Sequence, residues 1–186
     1  MLSERDLILC ELLVLRCRRK DSQAASELAG LFQQPLLYYL RRLLGSEADA
    51  WDALQEMWMA VFRSLHTLRD ARAFPAFAYR AARHSALVHL RRQRRAAALV
   101  ESLEAETQAP AEAMESFTSE DAAAVHLALD RISLPHREVL TLFFLKDLSI
   151  DDVATVIGVA PGTVKSRLFH AKRALRAAIA QGAAHA

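Results

Sequence analysis

The stretch from Leu148 to Arg176 constrains the fold of this chain more than any other. An apolar series at Ile150, Val153, Ala154 and Ile157 has helical spacing; Gly158 interrupts it, and a second series at Val164, Leu168, Ala171 and Leu175 begins just after Pro161. Proline in a first helical turn costs no hydrogen bond, because the N–H it lacks has no intrahelical partner there, and glycine takes the positive φ that a chain reversal needs. The pattern predicts a short helix, a tight turn and a longer helix. On a helical wheel Lys165, Ser166, Phe169, Lys172, Arg173 and Arg176 fall away from the second apolar stripe, so the outer face is cationic. From Val153 to Ala186 there is no Asp or Glu to neutralise it. A helix-turn-helix with an unbalanced basic second helix suits DNA phosphates and base edges. A solvated helix closing a bundle is the plainer alternative.

The remaining 147 residues upstream extend this helical reading. With 5 Gly and 5 Pro in 186 residues and 53% hydrophobic composition, the chain reads as folded and all-α. Residues 4 to 19 carry Leu7, Ile8, Leu12 and Leu15 at helical spacing, with Ser3 or Asp21 available as caps. A second helix spans about Gln23 to Leu44, with Pro35 as a kink and Gly45 as its stop. A third runs from Glu47 to Leu65, where Trp51, Leu54, Trp58, Val61, Phe62 and Leu65 form the expected buried stripe. Opposite them Asp49, Asp52 and Glu56 make an acidic row, flanked by Gln55 and Met59, and no basic residue between Glu47 and Phe62 offers an intrahelical ion pair. Glu56 lies too far into the helix to serve the N-terminal dipole. The row reads as a docking face for a basic partner helix, or simply as a solvated face.

Then the sign of the charge reverses. From Ala71 to Val100 there is no carboxylate, while Arg72, Arg80, Arg83, Arg91, Arg92, Arg94 and Arg95 supply seven positive charges. Arg80, Arg83, Arg91 and Arg94 share a wedge of roughly 80° if residues 76 to 95 are one helix. Phe74, Pro75, Phe77 and Tyr79 place aromatic groups beside this ridge, a combination that tracks a phosphate backbone and stacks on unpaired bases. For Phe77 a core position is the better reading. Residues 96–120 carry six glutamates, no basic residue and Pro110, and read as an acidic flexible linker. After it Val125, Leu127, Leu129 and Ile132, then Val139, Leu140, Phe143 and Phe144, lead into the helix-turn-helix, whose first helix Ser149 and Asp152 can cap.

The composition narrows the function classes. Cys10 and Cys17 are the only cysteines and the seven histidines are scattered, which argues for reduced thiols and against a metal site. No Gly-rich phosphate loop and no nucleophile–base spacing point to an enzyme or to a cofactor. The apolar run from Leu7 to Leu15 is broken by Glu11 and is too short to span a membrane, so a cytoplasmic chain without membrane insertion is expected.

Taken together the motifs resemble the extracytoplasmic function (ECF) sigma factors, small promoter-recognition subunits of bacterial RNA polymerase. Asp49-Ala50-Trp51-Asp52-Ala53-Leu54-Gln55-Glu56 is similar to the acidic core-binding motif of that family, and Ala82-Arg83-His84-Ser85-Ala86-Leu87-Val88-His89-Leu90-Arg91-Arg92 to its arginine-ended promoter helix. Leu134-Pro135-His136-Arg137-Glu138-Val139-Leu140 and Gly162-Thr163-Val164-Lys165-Ser166-Arg167-Leu168 resemble its two C-terminal signatures. The resemblance implies a region 2 domain over 1–95, a linker over 96–120, a region 4 domain over 121–180 and a tail over 181–186. It implies that Asp49, Asp52, Gln55, Glu56 and Met59 bind core polymerase. Phe74, Tyr79, Arg80, Arg83, His84, Leu87, Arg91 and Arg92 would engage the minus-10 element, and Thr163, Lys165, Ser166, Arg167, Phe169, His170, Lys172 and Arg173 the minus-35 element. An anti-sigma partner is implied as well. Trp51, His84, Val88 and His170 depart from the residues common in the family, and the last three bear on base readout. The alternatives are a stand-alone helix-turn-helix repressor or activator, which leaves the acidic row without a role, and an adaptor protein, which leaves the basic helices without one.

Overall fold

The computed structural model describes residues 4–101 and 120–183, with the side chains of 5–95 and 125–181. The expected cap Ser3, most of the acidic stretch and the end of the tail lie outside the described residues. The described residues form eight α-helices and no strand, in two compact units. The first unit holds α1 (Glu4–Arg18), α2 (Ser22–Leu44), α3 (Glu47–Ser64) and α4 (Phe74–Glu101), and the second holds α5 (Glu120–Arg131), α6 (Leu134–Leu140), α7 (Ile150–Ile157) and α8 (Pro161–Ala183). Among the described residues no helix is long and apolar enough to cross a membrane.

Turn chemistry sets the helix ends of the first unit. Asp21 accepts the Ala24 N–H at 3.0 Å and starts α2, while its carboxyl is held below the ordinary carboxylate range by that bond and by Arg16. Gly45 closes α2 in the left-handed region at φ 73°, with its N–H on the Arg41 carbonyl, and Ser46 caps α3 through the Asp49 N–H. α2 continues through Pro35, which leaves the Leu31 carbonyl without its intrahelical donor.

α3 packs on α2 and α4, and its buried face overlaps the expected one only in part: Leu54, Val61 and Leu65 are buried as expected. The core positions are Ala50, Ala53, Leu54, Met57 and Val61, while Trp51 and Phe62 are exposed and Trp58 is half-buried and stacked on Phe62. The stripe is rotated by roughly 75° from the one that the largest side chains mark. The facing side of α4 presents Ala82, Ser85 and Ala86, and alanines on both helices allow the close approach that tryptophan would prevent. Ser85 Oγ donates to the Ala53 carbonyl at 3.0 Å inside this contact.

Phe74 and Tyr79, expected on a nucleic-acid face, are core residues. Phe74 is fully buried with its ring 5.2 Å from that of Phe32, and Tyr79 packs edge-on against Tyr39 at 5.4 Å. Burial pushes the Tyr79 phenol above its ordinary range. Both rings lie against aromatic residues of α2, which withdraws them from the surface. Cys10 is buried too, and its thiol is pushed up to about 12 by burial and then by Glu11.

In the second unit α6 continues into one π-helical stretch, Thr141–Leu145, which buries Thr141 and Leu142. α5 is closed by Arg137, whose guanidinium donates to the Leu129 carbonyl at 2.8 Å and the Asp130 carbonyl at 2.7 Å. α8 packs on α5, α6 and α7, and Val153 and Ile157 of α7 and Val164 and Leu168 of α8 are buried. Phe74→Ala removes a filled position at the centre of the first unit and costs about 3–5 kcal/mol; urea unfolding of the full chain should show the first unit melting earlier while the second is unchanged.

Candidate nucleic-acid interface

The helix-turn-helix forms as the spacing predicts. Ser149 accepts the Asp152 N–H at 3.0 Å and donates its hydroxyl to the Asp152 carboxylate at 2.6 Å, fixing the start of α7. Gly158 ends it at φ 71°, with the Gly158 and Val159 N–H groups both on the Ala154 carbonyl. Pro161 opens α8, and Ala160 accepts the Thr163 and Val164 N–H groups.

α8 buries Val164, Leu168 and Ala171 and exposes Thr163, Lys165, Ser166, Phe169, His170, Lys172 and Arg173, with Arg167 half-buried. Two of its cations rest on rings: Arg173 lies 5.9 Å from the Phe169 centroid, and Lys172 Nζ 4.9 Å from that of Phe144. Phe144 was not anticipated as a neighbour of this face. It arrives because the π-helical stretch ahead of Lys146 leaves it exposed.

In the first unit α3 presents Asp52, Gln55 and Glu56 exposed, Asp49 half-buried, and Met59 with 62% of its surface open. The row is not wholly unpaired, contrary to the reading of α3 alone. Arg92 donates to Glu56 at 3.0 Å, His89 lies 3.3 Å from the other Glu56 oxygen, and Gln93 donates to Asp49 at 2.7 Å. The Arg92 hydrogen bond, followed by the charge of His89, holds the Glu56 carboxyl below the usual carboxylate range. Asp52 has no hydrogen bond or ion pair among the described residues. The signal that could have found this pairing is the polar stripe Ser85, His89, Arg92 on α4, at i, i+4 and i+7, aimed at α3.

The cationic wedge survives on the other side of α4. Arg80 and Arg91 are exposed and Arg83 and Leu87 are half-buried, while Arg80 sits 5.9 Å from the Phe77 ring. Arg92 stands apart from them, on the side facing α3. His84 is exposed at the mouth of a groove of about 280 Å³ between α3 and α4, shared by Met59, Arg63, Ala81 and Val88. Of the eight residues expected at the minus-10 element, six therefore remain at the surface, and the buried Phe74 and Tyr79 do not.

Residues 28–96 match the family model for Sigma-70 region 2 and residues 122–175 that for Sigma-70, region 4. The RNA polymerase sigma-H factor of Pseudomonas aeruginosa is 31% identical, over 90% of this chain and 92% of that protein. The ECF RNA polymerase sigma-E factor of Escherichia coli is 29% identical, over 89% and 91%. The chain belongs to the ECF sigma factors. This sigma factor also shares its fold with the sigma factor RpoE solved in complex with the anti-sigma factor NepR from Bartonella quintana. That likeness has a TM-score of 0.70 at 21% identity, over 83% of this chain and 95% of that one. Membership makes it an alternative sigma factor, which binds core polymerase and directs promoter recognition and transcription initiation.

The Glu56 carboxyl, depressed in the folded state, adds stability above its unfolded value near 4.3 that is lost as pH falls through the folded value. In Arg92→Ala the largest cause is gone, so a carbon-13 carboxyl titration should show the Glu56 midpoint moving up.

Proposed function

We propose a division of labour within this sigma factor. The observation that carries it is the exposed face of α8, where Lys165, Lys172 and Arg173 stand with no carboxylate between Val153 and Ala186 to offset them. On this reading Thr163, Lys165, Ser166, Arg167, Phe169, His170, Lys172 and Arg173 read the minus-35 element in the major groove. In the first domain, residues 1–95, Asp52, Gln55, Glu56 and Met59, with Asp49 behind them, dock on a basic surface of core polymerase. Arg80, Arg83 and Arg91 hold the backbone of the opened minus-10 strand, with His84 and Leu87 beside them. The stretch 96–120 links this domain to the second, 121–180, and the chain ends in the tail 181–186.

The chain supplies recognition and leaves the chemistry to the polymerase, and it works in the cytoplasm, where polymerase works. The RpoE neighbour from Bartonella quintana was solved with an anti-sigma factor, and we infer such a partner here.

Asp52 gives the cleanest test, because reversing it breaks no contact with another described residue. Asp52→Lys should abolish co-purification with core polymerase while the thermal melt stays unchanged; undiminished retention would contradict the docking assignment. For α8, Lys165→Ala should weaken promoter binding across sequences and reduce the slope of log affinity against log salt by about one. An unchanged slope would remove Lys165 from the phosphate contacts.

A further inference from the structure

The apolar residues that precede α7 do not all enter the core. The π-helical stretch Thr141–Leu145 buries Thr141 and Leu142, half-buries Phe143 and leaves Phe144 with 48% of its surface open. A lone exposed apolar side chain is ordinary. What singles this one out is its neighbour, since Lys172 of α8 holds its Nζ 4.9 Å from the Phe144 centroid. Lys165, Phe169 and Lys172 follow one another at i, i+4 and i+7, so Lys172 belongs to the exposed stripe of α8. Among the described residues no carboxylate forms an ion pair with Lys172.

The ring is a fixed support. Phe143 meets it edge-on at 4.9 Å, and the Leu148 N–H donates to the Leu142 carbonyl at 3.2 Å, closing the segment that carries it. Arg173 also lies beside a ring, but its partner Phe169 is on the same helix and provides no anchor outside it. Phe144 comes to Lys172 from the segment ahead of α7, where single π turns recur at functional sites. A lysine carries three donors on a flexible four-carbon stem. The ring takes one side of the ammonium, and because Lys172 is exposed, donors remain for a phosphate oxygen. Ordering the stem in advance reduces the entropy that the contact has to offset.

We propose that Phe144 is a positioning residue for DNA binding, its ring holding the Lys172 ammonium ready for a phosphate of the minus-35 element. The inference rests on the reading of α8 given above. Phe144 acts through Lys172 and adds no charge of its own, so it changes affinity and leaves the salt dependence alone.

Anisotropy of a labelled duplex carrying a promoter that the holoenzyme transcribes tests this, with the full chain assembled on core polymerase. Phe144→Leu keeps apolar bulk and removes the π face; affinity should fall about three-fold while the slope of log affinity against log salt stays the same. Phe144→Tyr should keep the affinity of the unaltered chain. Lys172→Ala should reduce the slope by about one, and in that background Phe144→Leu should have no effect. In the free chain the ring current should shift the Lys172 Hε protons upfield, and Phe144→Leu should return them to their ordinary position. Unaltered or tighter binding by Phe144→Leu, an equal loss with and without Lys172, or unshifted Hε protons would overturn the proposal. If Lys165→Ala and Lys172→Ala both bind like the unaltered chain, the reading of α8 fails and takes this inference with it. A loss in both without coupling to Phe144 strikes this inference alone.

Discussion

The packing of α3 on α4 is the contact on which the first unit depends. Ala50 and Ala53 of one helix and Ala82 and Ala86 of the other are all buried, and the Ser85 hydroxyl of α4 reaches the Ala53 carbonyl of α3. This contact turns Asp52, Gln55 and Glu56 to solvent along one side and leaves Arg80, Arg83 and Arg91 on a wedge of α4 that points elsewhere. At its open end the contact becomes electrostatic, with Arg92 and His89 on Glu56 and Gln93 on Asp49. These are exposed interactions and contribute little to stability. Their effect is to fix where the carboxylates stand, so one helix contact positions both the acidic face of α3 and the basic wedge of α4.

The second unit reaches a comparable result by turn chemistry. Ser149 starts α7, Gly158 stops it in the left-handed region, and Pro161 restarts the chain as α8. Val153, Ile157, Val164 and Leu168 are buried, and α8 packs on α5, α6 and α7 with its basic face left outside. Arg137 ties α6 to the end of α5 through three carbonyls. The unit thus has its caps and core on one side and its cations on the other.

Local rules made most of this legible in advance. The helix-turn-helix, the caps at Asp21, Ser149 and Gly45, and the all-α fold follow from residue types that act within one turn of themselves. What was missed depends on distant neighbours. Trp51, Trp58 and Phe62 outweigh alanine on any apolar count, yet helix proximity selects Ala50 and Ala53 for the interior. Phe74 and Tyr79 sit beside a cationic ridge in sequence, but Phe32 and Tyr39 of α2 claim them. The acidic row looked unpaired because its partners lie 33 to 44 residues away on α4. In each case the deciding contact is between helices, and periodicity on a single helix carries no information about it.

The central claim is that two basic faces on two separate units, joined to polymerase by one acidic face, divide promoter reading between them. The most direct measurement is run-off transcription with core polymerase, this chain and a promoter library randomised across the upstream region. The account predicts transcripts that require the chain and come from promoters sharing two separate sequence blocks, with charge-reversing Lys165 and Arg173 relaxing the upstream block alone. Transcripts from promoters sharing only one block, or no transcription dependent on the chain, would contradict it.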